Sequence, residues 1–379
     1  MEAARRSAQQ QLCLAYNARL VPNSPLFPWP DARRLLAAQE GLDEALFGDV
    51  QGAEATEEYD RAFLKHLVAR TERAISNASE DDEAYLGVPR QDWAVNEALL
   101  ERYVELVSLP QNVTVCGLPV PKAIYMRHYF PVPNAPAHPV FGPCDAVTLR
   151  EEGVAISMGT TGLKTWEASF RLGAHIVQEQ EQWCRDGERI VELGSGAGFL
   201  GMLCARLLQQ HHTQAELYLT DVAGNVMDRL RETAQINDMH ANPHVHLEAL
   251  NWLDVADAAS DAAALLREAN ATRVIAADVV YDPALVGPLT DALRAALLGD
   301  GHHTDAKPFA LVSSTVRNPT TYQSFLDALH ERGMQWHTVD PGTPAWPQQD
   351  REPLPLFPSA HDPELGGKVS IVHIQLVAQ

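Results

Sequence analysis

The segment Val191-Glu-Leu-Gly-Ser-Gly-Ala-Gly-Phe-Leu-Gly201 constrains this chain more than any other stretch. An apolar run ends at Gly194, glycines recur at 196 and 198, and an apolar amphipathic stretch opens at Phe199. Glycine adopts backbone conformations closed to residues with a Cβ and lets the main chain approach a ligand closely. A strand passing through such a turn into a helix belongs to an open α/β sheet, whose ligands sit at the carboxyl ends of the strands. Beyond Gly187 short apolar segments alternate with amphipathic ones. The expected strands are 189–193, 216–220, 245–250, 274–277, 309–313, 335–339 and 369–377. The expected helices are 199–210, 226–237, 261–269, 284–298 and 320–332. This order predicts a doubly wound, Rossmann-like α/β sheet of seven strands. The last two strands have no helix between them, so they are expected to pair antiparallel at one edge. The proline-rich stretch 341–368 then forms a long connection between them.

Upstream the pattern is helical. Segments 31–47, 57–75 and 92–107 carry apolar residues at helical spacing, as with Tyr59, Phe63, Leu67 and Val68. The acidic cluster Glu80–Glu83 reads as a solvated loop. Dense prolines between 110 and 143 predict a crossing segment without continuous regular structure. Residues 146–149 and 154–157 read as a β-hairpin turning on Glu151-Glu-Gly153, followed by a helix over 165–178. The expected division is therefore 1–143, helices and crossing segment, and 144–379, the sheet domain. A length of 379 residues suits two domains. The N-terminal helices are expected either to help recognise a folded protein or to cover the sheet.

The formal net charge of −21 argues against direct nucleic-acid binding, which needs cationic side chains to neutralise phosphates. No run approaches the roughly 18–20 apolar residues of a membrane span, and the N-terminus reads as an amphipathic stretch without an export core. Five scattered cysteines without a C-x-x-C pair fit neither a disulfide framework nor a zinc site, and a cytoplasmic location is expected. With no coiled-coil pattern or long apolar stripe, the expected state is a monomer.

Two cofactors compete for the glycine turn. Gly196-x-Gly198-x-x-Gly201 formally fits the dinucleotide fingerprint. Against it, the turn already begins at Gly194, and the carboxylate of Glu192 would repel a pyrophosphate. S-adenosylmethionine (AdoMet) offers an ammonium, a sulfonium and a ribose, with which an acid beside the loop is compatible. No lysine follows the glycines, which excludes a P-loop. Asp221 ends the second strand, where a carboxylate can accept from both ribose hydroxyls; the alternative is a helix N-cap before Val226. Asn251 and Trp252 end the third strand, where the amide and indole can meet an adenine, or the indole can be core. Ala276 and Ala277 leave room beside Asp278 and Tyr281, which could frame a methyl acceptor, and Asp282-Pro283 suits a helix start. His244 and His246 lack a third partner at ligand spacing, so no metal is expected. No nucleophile elbow is present.

The stretch Gly159-Thr-Thr-Gly-Leu-Lys-Thr-Trp166-Glu-Ala168, the glycine turn and Asp278-Val-Val-Tyr281 together resemble the seven-β-strand, class I protein-lysine methyltransferases. The hairpin and T-T-G-L-x-T-W stretch over 146–168, Thr315-Val-Arg-Asn-Pro319, Leu356-Phe-Pro358 and the weaker cues Leu26-Phe-Pro-Trp29 and 59–72 are similar to the elongation factor 2 lysine methyltransferases. The resemblance implies AdoMet contacts from Trp166, Gly194, Ser195, Gly196, Asp221, Trp252 and Ala277, with Glu192 beneath the turn; Asn251 joins them on its own residue chemistry. It implies that Asp278 and Tyr281 line the lysine channel and that Thr315, Arg317 and Asn318 border the substrate side. The implied partner is a protein, elongation factor 2. Two residues depart from the family pattern: Asn251 stands where relatives often carry Asp, and Lys164 replaces an apolar residue. A small-molecule methyltransferase, a dinucleotide oxidoreductase and a non-catalytic AdoMet-binding protein are the alternatives from other classes.

Overall fold

The computed structural model describes residues 2–48, 57–86, 89–109, 124–151, 163–300, 307–342, 344–347 and 353–377. The chain forms two compact units, one of residues 1–145 with 345–360 and one of 146–344 with 361–379.

The first unit holds α1 (Glu2–Asn17), α2 (Ala32–Ala38), α3 (Leu42–Phe47), α4 (Glu57–Asn77), α5 (Glu80–Leu86) and α6 (Glu97–Ser108). Its core is aromatic, with Tyr16 set edge-on to Phe47 and Phe63 at 5.4 and 5.0 Å. The segment 31–47, expected as one helix, is two. Asp31 caps the first by accepting from Arg34 N, and Gly41 at φ 72° breaks the path before the second. Glu80–Glu83 opens α5 instead of forming a loop. Asp82 accepts from the Ser79 N–H and hydroxyl, and four acids in the first turn suit the positive end of the helix dipole.

The span 110–143 also departs from expectation, because it contains β1 (Ile124–Pro131) and β2 (Ala137–His138). With β3 (Gly142–Glu151) they make a sheet in the order β1-β3-β2, and Pro131 sits at a strand end, where a missing N–H is tolerated. The expected strand 146–149 lies within β3, while the proposed turn beyond Glu151 and the second arm 154–157 lie outside the described residues, as do Gly159–Gly162 of the family-like stretch.

The second unit continues with α7 (Glu167–Gln178), α8 (Gln180–Trp183), β4 (Arg189–Leu193), α9 (Phe199–Gln210), β5 (Glu216–Asp221), α10 (Asn225–Ile236) and β6 (Val245–Ala249). There follow α11 (Asp261–Ala269), β7 (Arg273–Ala277), α12 (Val286–Leu298), β8 (Phe309–Val316), α13 (Pro319–Glu331), β9 (Met334–Val339), α14 (Pro363–Gly366) and β10 (Lys368–Leu376). The seven-stranded sheet runs β6-β5-β4-β7-β8-β10-β9. The first five strands are parallel, and β10 lies antiparallel to both β8 and β9. This is the Rossmann-like α/β sheet expected. The central strands β4 and β7 are nearly continuous apolar runs because helices cover both faces. Val191, Val274, Leu289, Leu293, Val312 and Phe325 share one core cluster. The chain order reverses between β4 and β7, which opens a crevice at their carboxyl ends. The stretch 341–368 is more than a connection: 345–360 belongs to the first unit, and 363–366 forms α14.

Candidate active site

At that crevice one cleft brings together Trp166, Gly194, Ser195, Gly196, Asp221, Asn251, Trp252, Ala277, Asp278 and Tyr281. The cleft is open to solvent and encloses about 160 Å³.

The glycine turn is tied to the neighbouring strand. Gly194 and Ser195 donate their N–H groups to Thr220 O, both at 2.9 Å, and Gly196 N donates to Asp221 Oδ2 at 2.8 Å. Gly194 and Gly196 have φ of 75° and 54°, in the left-handed region. A Cβ at Gly194 would lie 2.9 Å from Val279 Cγ1, so the turn has no room for a side chain. Three successive amides are thus occupied inside the fold, with a carboxylate facing one of them. A pyrophosphate site needs such amides free, so the geometry disfavours a dinucleotide.

Asp221 is not the cap of the following helix, which begins after Gly224 without a side-chain cap. Its second oxygen accepts from Val222 N at 2.7 Å. A carboxylate offers about four acceptor positions, so room remains for ligand hydroxyls. Burial raises its carboxyl above the usual range, partly offset by the Gly196 and Val222 hydrogen bonds. Glu192 lies fully buried beneath the turn. Burial, with the Asp221 charge adding to it, pushes its carboxyl to about 7, against the Ser195 hydroxyl and Gly201 N–H.

Trp252 sits between the core and the cleft. Its ring packs on Gly194 and the core, and it also walls the cleft. Its buried Nε1 has no hydrogen-bond partner among the described residues. Asn251 lines the cleft, but its Oδ1 accepts from Leu253 N at 3.2 Å, capping a short 3-10 turn. The unpaired indole donor, the unused positions of Asp221, the small Ala277 and the occupied amides of residues 194–196 fit AdoMet.

The other end of the cleft centres on Asp278. It has φ 55°, rare outside glycine though tolerated by Asp, and such conformations concentrate at functional sites. Its Oδ1 accepts from Thr315 N at 2.9 Å, and its Oδ2 from Thr315 Oγ1 at 3.1 Å and Arg317 Nη2 at 3.2 Å. The Asp278 side chain is 6% exposed. The Arg317 guanidinium in turn lies over the Trp166 ring, 5.0 Å from its centroid. Tyr281 stands at the mouth, 55% exposed. Asn318 is not in the cleft wall; its side chain caps α13 by accepting from Thr320 N and Thr321 N. Asp282 caps the short 3-10 helix at Pro283. His244 and His246 both face Glu216, at 2.9 and 2.6 Å.

Two residues gain a place that sequence did not give them. Glu151, read as part of a turn, accepts from Thr165 N at 2.8 Å and so fixes the approach to Trp166. Lys164, read only as a departure, lines the cleft with its Nζ 5.9 Å from the Trp166 centroid. The one advance signal was its position two residues before Trp166.

Residues 145–331 match the model of a family described as lysine methyltransferase. The protein-lysine N-methyltransferase EEF2KMT of Bos taurus is 31% identical over 208 residues, covering 52% of this chain and 59% of that protein. That of Homo sapiens is 32% identical over 205 residues, covering 52% and 58%. The protein-lysine N-methyltransferase EFM3 of Chaetomium thermophilum is 26% identical over 343 residues, covering 88% and 90%. The match thus spans under two thirds of the mammalian proteins' length and most of the fungal one. The methyl donor that such a family implies is AdoMet. Residues 145–331, just under half of the chain, are thus similar to the lysine methyltransferase family.

Proposed function

We propose that this chain is an AdoMet-dependent protein-lysine N-methyltransferase whose acceptor is a lysine of elongation factor 2, acting as a cytoplasmic monomer. The carrying observation is that one cleft joins the glycine turn and Asp221 to an Asp278 whose charge is balanced by Arg317. The names of the mammalian relatives support elongation factor 2 as the protein acceptor. Among the described residues no helix is long and apolar enough to cross a membrane.

Bound AdoMet supplies an activated methyl group. The residues that would hold it are Gly194, Ser195 and Gly196 of the turn, Asp221, Asn251, Trp252, Ala277 and Trp166. Positioning is then the main work of the protein. The acceptor lysine attacks only as a neutral amine, although its ammonium titrates near 10.4 in water. Asp278 already accepts three hydrogen bonds, which leaves one of its about four acceptor positions to orient an N–H of the amine. Because Arg317 compensates that carboxylate, the acceptor end does not hold the ammonium as a bare anion would, and the proton passes more readily to water. Tyr281 at the mouth gives the lysine stem an aromatic wall.

The test is intact mass of unmethylated elongation factor 2 after incubation with the protein and AdoMet. A gain of methyl mass that depends on AdoMet supports the reading. No gain, with the donor bound, moves the assignment to another acceptor. Asp278→Ala is expected to keep donor affinity and slow transfer roughly a hundredfold; full turnover in that variant would remove Asp278 from the acceptor site.

A further inference from the structure

We propose that Lys164 is an internal methyl acceptor, so that the chain modifies its own side chain from the cleft which that side chain lines. This rests on the donor reading above but not on the identity of the protein substrate. The chain has five lysines, at 65, 122, 164, 307 and 368. Lys164 lines the cleft together with Asp278 and Tyr281. Its Nζ lies 5.9 Å from the centroid of Trp166, the ring that also carries Arg317, the partner of Asp278.

The main chain beside Lys164 is held while its side chain is not. Thr165 N is fixed on the buried Glu151 carboxylate, and Trp166 stands at the N-terminus of α7. Lys164 itself is exposed and, among the described residues, enters no hydrogen bond or ion pair. Leaving Trp166 gives up a cation–ring contact, which is weak at an exposed site, and the longer-range attraction of Glu151. A flexible four-carbon stem anchored at the cleft wall gives its amine a high effective concentration there, as intramolecular acceptors have.

In the transfer, the Lys164 ammonium first releases a proton to water. The Nζ lone pair then forms the N–CH3 bond, and the donor S–CH3 bond breaks with its electron pair staying on sulfur. S-adenosylhomocysteine leaves. Methylation preserves the charge of the lysine, so the product still suits the Trp166 ring, and aromatic faces are good partners for methylated ammonium groups.

The experiment incubates the full chain alone with isotopically labelled AdoMet and maps the label by peptide mass spectrometry. Calorimetric donor binding is measured in parallel on the wild type and on Lys164→Arg. The expected result is label on Lys164, none at that position in Lys164→Arg, and an unchanged labelled fraction per unit time on about tenfold dilution. No label on Lys164 with the donor bound overturns the proposal. So does labelling that slows with dilution, which marks transfer between molecules. Absence of donor binding defeats the donor reading and this inference with it. Label on Lys164 with elongation factor 2 left unmodified upholds the inference and overturns the substrate reading.

Discussion

Three carboxylates divide the chemistry of the cleft by their surroundings. Asp221 keeps acceptor positions open, Asp278 is compensated by Arg317, and Glu192 is sealed beneath the turn. Removing the Asp221 carboxylate in Asp221→Ala strips the partner of Gly196 N as well as the proposed donor contact. Calorimetry is expected to show donor affinity down by about tenfold or more, as for a lost hydrogen bond to a charged group. Glu192 ties the site to pH. Its folded value near 7 exceeds the usual 4.5, so between those limits the folded chain keeps a proton that the unfolded chain has released. Its contribution therefore favours folding at low pH and is lost as pH rises towards 7, by roughly 3 kcal/mol. Melting curves of Glu192→Gln should fall less steeply between pH 5 and 7 than those of the wild type, a window set by that raised value. Equal slopes would show that Glu192 does not titrate there. The residue types and spacing were legible in the sequence. The pairing of Asp278 with Arg317, on different strand ends, was not, because hydrogen bonds between distant segments leave no local pattern.

Among the elements, local signals worked where periodicity was long and uninterrupted. α9 and α11 fall on their expected bounds, 199–210 and 261–269, because left-handed Gly198 starts the first, the Ser260 cap starts the second, and an apolar face runs through each. They failed where charge or a single glycine outweighed periodicity, as at α5 and at Gly41. The third glycine of the fingerprint has its explanation in packing and not in ligand approach. A Cβ at Gly201 would lie 2.6 Å from both Leu219 Cδ atoms and 2.8 Å from Glu192 Oε2, and Leu219 is fully buried. Alanine is the better helix former by about 1 kcal/mol, yet overpacking of this kind costs about 1–3 kcal/mol. Gly201→Ala is accordingly expected to lower the melting temperature. A rise would mean that α9 and β5 have slack at this contact.

For the whole molecule, the return of 345–360 to the first unit decides what can be separated. Trp346 stacks on Phe141 at 5.1 Å, its N donates to Leu354 O at 2.8 Å, and its Nε1 donates to Leu356 O at 3.3 Å. The first unit is thus built from two stretches of sequence, and residues 1–145 alone lack part of it. Trp346→Ala is expected to destabilise that unit by about 3–5 kcal/mol, as for other buried aromatic truncations. Calorimetry with and without AdoMet checks this. The donor should still stabilise the second unit, and an unchanged melting profile would show that the segment contributes little.

The sequence by itself determined the α/β alternation, the glycine turn, and the residue types at the carboxyl ends of the strands. Each is written in neighbouring residues through periodicity and backbone freedom. Only the tertiary structure decided that the turn's amides are occupied by Thr220 and Asp221, that Arg317 neutralises Asp278, and that Lys164 reaches the cleft. Those contacts join residues far apart in the chain, and their partners are chosen by strand order and burial, which act only once the sheet is assembled.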